Sequence, residues 1–169
     1  MFAKMTSRRN KTATWLIVTT TLGALAGPLG SAPAANAATT SCLKITVAQV
    51  SLAMGVKATA ASSISRGKVT MCMYTVGGDT SAVTFQVVSS STLATFKAGM
   101  KLAKTVGESP KTDSKFAPYP AFSTAMKSAA YHYTTVGVTV LKGSKQIQVV
   151  ANYSLSKVES LTRVLLTKL

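Results

Sequence analysis

Chemistry-bearing residues are few in this chain, and their spacing limits what they could do. There is one histidine, His132, between Tyr131 and Tyr133. The four carboxylates are Asp79 in a Gly-Gly-Asp turn, Glu108 and Asp113 in a proline-containing segment, and Glu159 near the start of an amphipathic stretch. Hydrolysis by paired carboxylates needs two carboxyls facing each other across a substrate, and only Glu108 and Asp113, which share one loop, could manage it. A serine nucleophile would need His132 as its base, but no G-x-S-x-G elbow follows residue 37. One histidine and scattered acids fall short of a zinc ligand set once two cysteines are paired. No glycine-rich phosphate loop leads from a strand into a helix. The primary reading is therefore a non-enzymatic domain with neither metal nor cofactor. The alternative is a secreted hydrolase using His132 with an unidentified serine.

The first 37 residues have the three-part pattern of a secretory signal. Lys4, Arg8, Arg9 and Lys11 form the basic region, Ala13 to Ala26 the apolar region, and Ala35-Asn36-Ala37 the cleavage site. A mature chain over residues 38–169 suits one domain. In an oxidising compartment Cys42 and Cys72, the only two cysteines, are expected to form a disulfide. Closing 30 residues contributes about 3 to 4 kcal/mol in the chain-entropy account.

Charge narrows the partners. Of 19 basic residues four lie in the leader, leaving 15 against four acids and a mature net charge of +11. In the cytoplasm that balance would indicate nucleic acid. After export no nucleic acid partner is expected, and the polyanions at hand are envelope polymers or membrane surfaces; an envelope protein is a further candidate partner. The domain is expected outside the cell or at the cell wall. Lys97, Lys101 and Lys104 recur at helical spacing with no acid between Asp79 and Glu108, which makes them the candidate polyanion-binding stripe. Phe116, Tyr119, Phe122, Tyr131 and Tyr133 gather around a proline-rich stretch, either as a ligand loop or as a lid over one end of the core.

The elements that must position these groups follow from periodicity. Thr46 to Met54 reads as a helix, with a Thr46/Gln49 capping box and Gly55 as its stop. Ala58 to Lys68 is rich in small residues and serine and reads as a loop. Val69 to Val76 and Ala82 to Val88 alternate as strands of a hairpin. Thr92 to Val106 is an amphipathic helix with Leu93, Phe96, Met100 and Ala103 on its apolar side and Gly107 as its stop. Gly107 to Pro120 carries Pro110, Pro118 and Pro120 and resists regular structure. Ala129 to Tyr133, Gly137 to Leu141 and Gln146 to Asn152 read as strands, and a last helix begins near Ser156 with Glu159 at capping-box spacing. The expectation is a single α+β domain with an antiparallel sheet of about five strands and three helices, in the order α-β-β-α-β-β-β-α.

The segment Cys42-Leu43-Lys44-Ile45-Thr46-Val47-Ala48-Gln49-Val50, then Gly55, then Cys72-Met73-Tyr74, resembles the opening of a family of small secreted or lipid-anchored actinobacterial domains of unknown function. Ala129-Ala130-Tyr131, the strand pair around Lys142-Gly143 and the terminal amphipathic helix extend the likeness over most of residues 42–169. Two features depart from the family pattern. Lys127-Ser128 stands where members often carry Gly-Asp, and Thr39-Thr40-Ser41 precedes Cys42 in place of a lipobox. The resemblance implies a disulfide, an exported α+β domain and residence at the envelope, and it implies no reaction.

Overall fold

The computed structural model describes residues 41–78, 82–127 and 134–169. The chain opens with a two-stranded hairpin, β1 (Ser41–Cys42) and β2 (Ile45–Thr46), which runs directly into α1 (Val47–Met54). Thr46 caps this helix as its sequence predicts. Its hydroxyl accepts from Gln49 N at 3.2 Å, the Gln49 side chain accepts from Thr46 N at 2.9 Å, and Gly55 ends the helix at φ 61°. Such a left-handed terminus favours glycine.

Then come β3 (Ala58–Arg66), β4 (Val69–Val76), β5 (Ala82–Val88), α2 (Leu93–Thr105) and β6 (Lys111–Thr112). A single 3-10 turn (Ser114–Phe116) leads to β7 (Ala121–Lys127), β8 (Thr134–Lys142), β9 (Lys145–Ala151) and α3 (Leu155–Lys168). Among the described residues seven strands form one antiparallel sheet in the order β3-β4-β5-β9-β8-β7-β6. The five-strand sheet and the α-β-β-α-β-β-β-α order are thus corrected. The domain is α+β in character, but it holds more strands, differently ordered.

Each difference has a physical origin. Ala58–Arg66, expected as a loop, is the edge strand β3. Its Ala58 and Ala61 are buried beside α1, where bulkier residues would push the helix away, so the apolar alternation that marks a strand is muted. Ser51 of α1 ties the two together, accepting from Ala58 N at 2.9 Å while donating to Val47 O at 2.9 Å. β7 lies where the sequence pattern marks no strand: Ser123 and Thr124 interrupt its apolar alternation and prolines precede it. The expected strand at Ala129 to Tyr133 lies outside the described residues. For α3, Ser154 rather than Ser156 is the N-cap, and Glu159 turns inward to Lys115 instead of closing a capping box.

The principal core lies between one face of the sheet and the α1/α3 layer. Val83, Phe85, Val138, Val140, Ile147 and Val149 alternate inward along three central strands and meet Val158, Leu161 and Leu165 of α3. α2 sits on the opposite face, over β7 and β8, through a smaller cluster of Phe96, Phe122 and Leu141 with Met100 against it. The Phe96 and Phe122 rings are 5.2 Å apart and tilted by 60°. Gly137 of β8 makes room for its cross-strand neighbour Thr124 of β7, since a Cβ there would lie 2.8 Å from Thr124 Oγ1.

β4 anchors the opening hairpin through two inward side chains two residues apart. Cys72 is bonded to Cys42, with the Cα atoms 6.0 Å apart. Tyr74 is fully buried, stacks on Phe85 at 5.3 Å, accepts from Cys42 N at 2.9 Å and donates to Ile45 O at 2.6 Å. Strand periodicity puts residues i and i+2 on one face, so Cys-x-Tyr is the spacing that lets one strand hold both sides of the hairpin.

Candidate functional site

The lysine stripe is carried by α2, whose formation is locally encoded. Thr92 caps it, accepting from Thr95 N at 3.2 Å while Thr95 Oγ1 accepts from Thr92 N at 2.9 Å. Phe96 and Ala103 are buried and Met100 is half-buried, so the apolar side faces the sheet; Leu93, expected there too, is 47% exposed. Lys97, Lys101 and Lys104 are all exposed. At 100° per residue they fall within about 60° of arc, and at 1.5 Å rise per residue they span about 10 Å.

The side-chain ammonium groups of these three lysines make no hydrogen bond or ion pair among the described residues. Other cations are engaged. Lys142 donates to Leu166 O at 2.7 Å and Lys145 to Leu169 O at 3.1 Å, placing positive charge at the negative end of the α3 dipole. The Lys157 ammonium lies 5.4 Å from the Tyr153 ring centroid, and the Arg163 guanidinium 5.4 Å from that of Phe116.

The described carboxylates are largely withdrawn from the surface. Glu159 is 3% exposed and binds the Lys115 ammonium through both oxygens, at 2.8 and 2.9 Å. Asp113 is 8% exposed; its Oδ1 accepts from Lys115 N at 3.1 Å, and Oδ2 is buried with no hydrogen-bond partner among the described residues. Of the described acids only Glu108 is even half-exposed, against fifteen cations. The Lys115–Glu159 pair had no sequence signal, since 44 residues separate its members.

The other sequence candidates are dispersed. Phe116 belongs to the principal core, with Tyr119 half-buried against it, whereas Phe122 lies in the α2 cluster on the opposite face of the sheet. Tyr131, Tyr133 and His132 lie outside the described residues. Among the described residues no three His, Cys, Asp or Glu side chains converge in a way that could hold a metal ion. Comparisons with protein-family models, with curated proteins and with solved structures found no match.

Proposed function

We propose that the chain is an exported, non-enzymatic domain that binds an anionic polymer of the cell envelope, with Lys97, Lys101 and Lys104 of α2 as its principal contact. One observation carries this reading: two of the three described carboxylates are buried while the α2 lysines are exposed and unpartnered. Internal neutralisation is thereby denied to the stripe, and its potential is directed at external charge. In this reading residues 1–37 are removed on secretion, and the disulfide and buried Tyr74 keep the domain folded in an oxidising, unbuffered exterior.

The test is salt elution from an immobilised anionic cell-wall polymer. Replacing Lys97, Lys101 and Lys104 together by Gln preserves helix propensity and is expected to lower the eluting salt concentration, because exposed charges are screened over about 8 to 10 Å at physiological ionic strength. Elution at unchanged salt sinks the assignment to α2. Retention of the wild type on anionic lipid vesicles but not on the polymer would move the ligand to the membrane surface.

A further inference from the structure

The sheet ends on one side with an edge that is only half closed. β6 pairs with just two residues of β7, Lys111 opposite Ser123 and Thr112 opposite Phe122. Asp113 N donates to Ala121 O at 3.0 Å, so Ala121 directs its backbone groups toward β6. In an antiparallel strand every second residue shares that direction, which turns the N–H and C=O of Ser123, Ala125 and Lys127 the same way. Ser123 meets β6. Ala125 and Lys127 have no backbone partner on that side among the described residues.

The chain that would have continued β6 is deflected. Extending the register backwards would set Pro110 opposite Thr124 and Ser109 opposite Ala125, but the pairing stops at Lys111. A cleft of about 480 Å³ is left instead, lined by Gly107, Ser109 and Lys111 on one wall, Ala125 and Lys127 on the other, and Leu155 of α3 at one end. Its rim is cationic: Lys111 and Lys127 are exposed, and by the register both side chains stand on the sheet face that carries Val136 and Val138. Thr124 and Met126 stand on the other.

We propose that this edge of β7 accepts an extended acidic segment of a partner protein as an added strand. Two residues whose outward backbone groups have no partner among the described residues, with donors and acceptors alternating in one line, match the backbone of an added strand, which would replace water along the whole line at once. The free stretch Thr124–Lys127 spans about 13 Å at 3.3 Å per residue, room for a segment of about four residues. Carboxylates on alternate positions would face Lys111 and Lys127, with apolar side chains at the intervening positions against Met126. A second copy of this chain is disfavoured by the same lysines, which would oppose each other in edge-to-edge pairing. The other sheet edge, β3, is bulged between Ala58 and Ala61 and has β1 packed against it. This site is separate from the α2 stripe, and neither proposal depends on the other.

The probe is an acetylated, amidated octapeptide of alternating Val and Glu, followed through the amide resonances of the full folded domain. The expected result is slowed hydrogen exchange at Ala125 and Lys127, with no binding of the Val/Lys counterpart. Ala125→Pro removes an outward N–H that the fold does not use and is expected to weaken binding by about tenfold or more. Lys111→Gln with Lys127→Gln weakens it without touching the backbone, which keeps the test decisive should the proline variant misfold. The α2 triple variant serves as the control and leaves peptide binding in place. Unchanged exchange at both amides at saturating peptide, equal binding of both peptides, or protection that grows with protein concentration in the absence of peptide would each overturn the proposal, the last in favour of self-association.

Discussion

Tyr74 shows how much one side chain carries in this domain. Its hydroxyl satisfies the Cys42 N–H and the Ile45 carbonyl at once, inside the core. Burial raises its pKa above the ordinary value near 10, opposed in part by the hydrogen bond from Cys42. The sign follows from proton counting: past pH 10 the unfolded chain loses the phenolic proton while the folded chain retains it, so stability present at neutral pH falls as pH rises. Tyr74→Phe is expected to cost about 1 to 3 kcal/mol at pH 8, because two buried backbone groups lose their partner. The variant should also show a shallower loss of stability than wild type above about pH 10, since the raised group is gone. Urea unfolding at the two pH values checks both statements. An equal loss in the two proteins would assign the alkaline transition to other groups.

At the scale of the element, the opening hairpin is unusual in its turn. Leu43 and Lys44 both adopt positive φ, 51° and 63°, a combination that two-residue hairpins ordinarily give to Asn-Gly. Each such residue costs on the order of 1 kcal/mol or more, and the turn persists because the disulfide and Tyr74 hold both of its strands to β4. Replacing Leu43-Lys44 by Asn-Gly is therefore expected to stabilise the domain by about 1 kcal/mol or more, read as a rise of several degrees in melting temperature. An unchanged melting temperature would show that the half-buried Leu43 side chain, packed against the principal core, compensates for its backbone.

For the molecule as a whole, fifteen cations over a surface with little negative charge must repel one another. Screening relieves that repulsion, so raising NaCl from about 10 to 150 mM, which shortens the screening length from about 30 to 8 Å, is expected to raise the melting temperature. The rise should be smaller in the Lys97, Lys101 and Lys104 to Gln variant. A melting temperature that falls with salt would mean that attractive pairs such as Lys115–Glu159 outweigh the repulsion.

The sequence by itself determined what is local or compositional. The cap at Thr46 involves groups three residues apart, and the hairpin of β4 and β5 follows from alternation over short runs. The exposure of the three α2 lysines follows from a single helical period, and the cysteine pairing from their number. Tertiary structure decided what depends on neighbours distant in sequence. β3 is a strand because β4 supplies its hydrogen bonds, although its small residues, fitted to α1, carry no period of their own. Glu159 faces inward because Lys115 waits 44 residues earlier, and Phe116 and Phe122, six positions apart, serve opposite faces of the sheet. The half-open edge of β7 is the furthest from the sequence. It exists because pairing with β6 stops after two residues, and an unmade contact leaves no pattern of residue types to read.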